Sequence, residues 1–114
     1  MTVYTDVFTS SNIYASEVSY AELALTANTT LVWPLDAQPD TPVVAKIMDV
    51  TASGAYSITM PSAISASDGE TVLFNNVAAT TFTVKDSTGT TLLTVASGEQ
   101  WQLYLVSNTT SAGV

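Results

Sequence analysis

Three turn-bounded apolar runs, ETVLFNN, TTFTVKD and TTLLTVA, lead up to QWQLYLV between Glu70 and Val106. No other feature constrains the fold as tightly. Val72 and Phe74 share one parity and Leu73 the other; Phe82 and Val84 alternate with Thr81, Thr83 and Lys85. Leu93 and Val95 continue one face, and Trp101, Leu103 and Leu105 alternate with Gln102 and Tyr104. A period of two with β-branched residues marks half-buried strands, not helices. Asp86-Ser87-Thr88-Gly89 has the chemistry of a tight hairpin turn. Ser97-Gly98-Glu99 breaks the pattern again, and Asn75-Asn76 is expected to leave its strand.

The earlier chain follows the same grammar. Glu22–Thr26, a turn at Ala27-Asn28-Thr29 and Thr30–Trp33 read as strand, turn, strand, which Pro34 should end because it has no N–H for a ladder. Residues 35–42 form a surface loop rich in Pro and Asp. Val43–Val50 is apolar on both faces, the pattern of a central or interface strand. Ser53-Gly54 turns the chain, Tyr56, Ile58 and Met60 alternate with Ser57 and Thr59, and Pro61 stops that strand. Residues 62–69 are a small polar turn. An echo, Ala66-Ser67-Asp68-Gly69-Glu70 against Ala96-Ser97-Gly98-Glu99, reads as shared turn chemistry rather than a duplication. Asn108–Val114 looks like the start of another hairpin loop.

The first 19 residues carry the weakest pattern. Val3, Thr5 and Val7 alternate with Tyr4, Asp6 and Phe8, as in an extended arm. Ile13, Glu17, Val18, Ala21 and Leu25 fall at helical spacing with Ser11 or Asn12 as N-cap, yet the run is short and poor in helix formers. The reading leans to an arm followed by a short helix or turn. The expected fold is all-β: a small antiparallel sandwich or barrel-like domain over residues 20–114, of about eight short strands, with an extended N-terminal arm over 1–19.

Composition narrows function. The 114 residues carry two basic and ten acidic side chains, a formal net charge of −8. Neutralising phosphates or docking on an anionic membrane needs clustered Lys and Arg, so neither nucleic acid nor membrane is an expected partner. With no Cys and no His, disulfides, thiolate metal sites and the commonest general base are absent. MTVYTDVFTS lacks the basic and apolar regions of a secretory signal, so synthesis in a cytoplasm is expected.

Each chemical candidate has a plainer reading. Asp86-Ser87-Thr88-Gly89 superficially resembles an aspartic-protease motif, but that mechanism needs two carboxylates sharing a proton, and a turn explains the residues. Asp36 with Asp40, or Asp68 with Glu70, could offer oxygens to calcium; solvated loop carboxylates are the better reading. Asn28-Thr29-Thr30 and Asn108-Thr109-Thr110 match the glycosylation sequon but read as turn residues. Trp33, Trp101, Tyr56 and Tyr104 could form a sugar-stacking platform, although core or subunit-interface packing suits their placement better. No catalytic residue, cofactor or metal site is expected.

Leu31-Val32-Trp33-Pro34, Ile47-Met48-Asp49-Val50-Thr51, Met60-Pro61, Val72-Leu73-Phe74-Asn75-Asn76-Val77, Phe82-Thr83-Val84-Lys85-Asp86 and Trp101-Gln102-Leu103-Tyr104-Leu105, followed by Asn108-Thr109-Thr110-Ser111-Ala112-Gly113, occur in this order. Together, over about residues 20–114, they resemble a recurrent β module of tailed-bacteriophage tail-fibre and appendage proteins. In similar sequences a further strand follows the Ala-Gly, so the chain is expected to be the N-terminal portion of a longer protein. The resemblance implies a virion structural protein, a homotrimer, whose partners are other virion proteins such as a tail tube, connector or adaptor. Residues 1–19 would be the attachment arm, with Val3, Tyr4, Val7, Phe8, Ile13 and Tyr14 as its interface residues. The alternatives are a capsid decoration or head-fibre protein and a carbohydrate-binding host-recognition module, for which a host glycan would be the partner.

Overall fold

The computed structural model describes residues 3–5, 12–14, 19–34 and 41–114. It is all-β, with ten short strands and a 3-10 turn at Ala63–Ser65 among the described residues. Strands β1 (Val3–Thr5) and β2 (Asn12–Tyr14) form an antiparallel ribbon. The other eight are β3 (Tyr20–Leu25), β4 (Thr29–Thr30), β5 (Ile47–Ala52), β6 (Ser57–Thr59), β7 (Thr71–Asn76), β8 (Phe82–Lys85), β9 (Thr91–Val95) and β10 (Gln100–Tyr104). They make two four-stranded sheets, ordered β10-β7-β5-β3 and β4-β6-β8-β9.

The pairing departs from the antiparallel expectation. β3, β5 and β7 run parallel in the first sheet, as do β4, β6 and β8 in the second. Within these two sheets only β8–β9 and β10–β7 are antiparallel. From β3 to β8 the chain alternates between sheets, so each coil lays one strand in each and the next coil repeats it alongside. Parallel strands need a crossover, and here a strand of the opposite sheet supplies it where a helix commonly would. The β8–β9 connection is a hairpin with Gly89 at φ 92, whereas the β5–β6 turn through Ser53-Gly54 passes to the other sheet.

The core follows from strand alternation. Ala21, Met48, Phe74 and Trp101 stand side by side across the first sheet, as do Leu23, Val50 and Asn76. In the second sheet Ile58, Val84 and Leu93 make one inner row, and Phe82 pairs with Val95. Phe74 and Phe82 meet edge to face between the sheets, with ring centroids 6.4 Å apart. Each fully buried Phe, Leu or Ile contributes about 1.5–3 kcal/mol relative to exposure. Val44 and Ala45 are buried but lie outside any strand, beside the isolated parallel bridge Val32–Val43. The two-sided apolar run at Val43–Val50 therefore belongs partly to a buried crossing segment, and its strand begins only at Ile47.

Asn75 and Asn76 do not leave the strand but end β7 on opposite faces. Asn76 is 1% exposed; its amide donates to the carbonyls of Thr80 (2.8 Å) and Val95 (3.0 Å), and its Oδ1 accepts the Ala78 N–H (3.0 Å). It thereby ties the first sheet to the second. Asn75, on the outer face, donates to Asp49 Oδ1 at 3.0 Å.

The Ala-Ser-Gly-Glu echo is turn chemistry, as expected. Glu70 N donates to Ser67 O and Glu99 N to Ala96 O, the same turn before β7 and before β10. Gly69 N then donates to Leu105 O and Gly98 N to Asn76 O, so each turn closes the far end of the other's strand. The helical reading over Asn12–Leu25 is not adopted at the described positions. Asn12–Tyr14 and Tyr20–Leu25 are both extended, the latter because a parallel ladder to β5 satisfies its backbone.

Candidate interaction surface

Three surfaces bring functional side-chain types together. The first is the N-terminal ribbon. Its register sets Val3 opposite Tyr14 and Tyr4 opposite Ile13, so four of the six expected interface residues occupy two adjacent cross-strand positions. Val7 and Phe8 lie outside the described residues.

The second is the outer face of the first sheet. Tyr20, Ile47, Leu73 and Gln102 form one row across it, and Glu22, Asp49, Asn75 and Gln100 form the next. Tyr20 donates its hydroxyl to Asp49 Oδ2 at 2.7 Å, with Glu22 Oε1 at 3.3 Å, while Asn75 holds the other oxygen of Asp49. The bond to Asp49 and the two nearby carboxylates favour the neutral phenol and push its pKa up to about 12. Lys46 lies on the same sheet and donates to Thr71 Oγ1 at 3.0 Å.

The third is the end formed by β9 and β10, the edge strands of the two sheets. Leu92, Trp101, Tyr104, Val106 and Val114 are all exposed there, Trp101 by 46% and Tyr104 by 66%. Trp101 stands opposite Phe74, on the inner side, but it is on the last strand and has no further neighbour to cover it. Beneath this end a groove of about 160 Å³ is lined by Trp33, Met60, Val72, Leu92, Leu103 and Leu105 and closed by the 112–114 segment.

The C-terminal segment folds back as the hairpin start its sequence implies. Val106 N donates to Val114 O (2.6 Å) and Val114 N to Ser107 O (3.1 Å). Ser111 O accepts from Ser87 Oγ and Ala63 N, and Asn108 donates to Asp68 Oδ1 and Ala66 O.

The remaining chemical candidates resolve into structure. Asp86 is buried and its Oδ1 accepts from Thr88 Oγ1 (2.6 Å), Thr88 N (2.9 Å) and Thr90 N (3.0 Å). The Thr88 hydroxyl, helped by backbone N–H groups and opposed by burial, holds its carboxyl below the usual range. That is an Asx-type turn lock. Asp68 is engaged with Asn108, and Asn28 accepts the Ser57 N–H, which makes it a brace between coils. Asp36 and Asp40 lie outside the described residues, among which no group of three His, Cys, Asp or Glu side chains assembles. The four aromatics do not form one platform. Trp33 donates to Ser62 O at 2.7 Å and packs with Tyr56 against the core, while Trp101 and Tyr104 project from opposite faces of β10. Sequence reasoning missed the hydrogen-bonded Tyr20–Asp49–Asn75 cluster, whose members lie on three different strands and become neighbours only through parallel coiling.

These features define a class: a small two-sheet β domain of stacked coils with exposed apolar side chains at the β9–β10 end. No protein-family model, curated protein or solved structure matches the chain.

Proposed function

We propose that the protein is a non-enzymatic structural component of a bacteriophage virion, the virion-proximal part of a tail fibre or appendage. The observation that carries this reading is the ordered set of segments resembling fibre modules. Its members fall on the framework of the domain: Phe74-Asn75-Asn76 supplies a core ring, an outer ladder amide and the inter-sheet lock. Trp101–Leu105 supplies the edge strand and its exposed aromatic groups. A domain whose side chains are committed to packing, with apolar groups exposed at one end, suits assembly better than turnover. In this reading the ribbon with Val3, Tyr4, Ile13 and Tyr14 fastens the domain to a tail protein, and copies associate as the fibre requires.

The test is the place and copy number of the chain in intact particles. Quantitative mass spectrometry should give a few multiples of three per virion, and labelled particles should show it on the tail. A copy number that tracks the capsomers would replace this reading with a head-decoration role. Deleting residues 1–19 should leave the β domain folded but absent from particles; full incorporation would refute the arm's role.

A further inference from the structure

We draw no further inference here: the strongest candidate, the apolar groove at the β9–β10 end with the buried Asp86 in its wall, is closed on one side by the 112–114 segment, and nothing in the structure shows what covers the rest of it.

Discussion

Asn76 and Asn75 are chain neighbours of identical chemistry, and the structure assigns them very different weights. Asn76→Ala would leave the buried Val95 O and the part-buried Thr80 O and Ala78 N–H without this partner. At about 1 kcal/mol or more for each group left unsatisfied, the loss should reach about 3 kcal/mol. Asn75→Ala removes one half-exposed hydrogen bond to Asp49, worth about 1 kcal/mol or less. Urea denaturation of the two variants is the assay. With a slope of about 1.5 kcal/mol/M for a domain of this size, Asn76→Ala should lower the midpoint by about 2 M and Asn75→Ala by well under 1 M. Equal shifts, or a larger one for Asn75→Ala, would refute the assignment of Asn76 as the lock between sheets.

Two further outcomes follow from single sites. Tyr20 has its folded pKa raised from 10.0 to about 12, so its stabilising share is complete below pH 10 and is lost as pH rises towards 12. In an ultraviolet titration one of the five tyrosines should ionise late, and Tyr20→Phe should abolish both that late step and the alkaline loss of stability. Gly113 sits at φ 72, and an added Cβ would lie 2.6 Å from Leu105 Cδ1 and 2.7 Å from Ala63 Cβ. Gly113→Ala should cost roughly 1 kcal/mol from backbone conformation alone. It should also free Val114 from Val106, seen as faster hydrogen exchange at the Val106 amide.

Most strand positions from Tyr20 onward were legible because burial on one face imposes a period of two; the strand expected at Thr30–Trp33 is instead Thr29–Thr30, followed by an isolated bridge at Val32. Val72, Phe74, Phe82, Val84 and Val95 are all core residues on the predicted parity. Strand direction was not legible. Short turn-bounded spacing suits a hairpin and an arch between sheets equally, and positive-φ glycines serve both, Gly89 in the β8–β9 hairpin and Gly98 in the β9–β10 crossing. Asn75-Asn76 reads as a strand exit because Asn favours turns, a local tendency here overruled by the three hydrogen bonds of the buried Asn76 side chain. Trp101 lies on the inner side its alternation implies, yet it is half exposed, since alternation gives a face and not a place at the edge. Val3, Tyr4, Ile13 and Tyr14, read as arm residues from a weak pattern, pair across the β1–β2 ribbon.

The stacked-coil topology also bears on how the chain is made. In the two main sheets, β3 leaves the ribosome first, yet its partner β5 is synthesised only after the chain has crossed to the other sheet and returned. Each new coil then finds the previous one already laid down beside it, so the order of synthesis and the order of pairing coincide. Until β9 and β10 emerge, β7 and β8 stand as a growing end with their edges bare. The last two strands run back against this direction of growth. By reversing it they end the run of parallel pairing after three strands in each sheet.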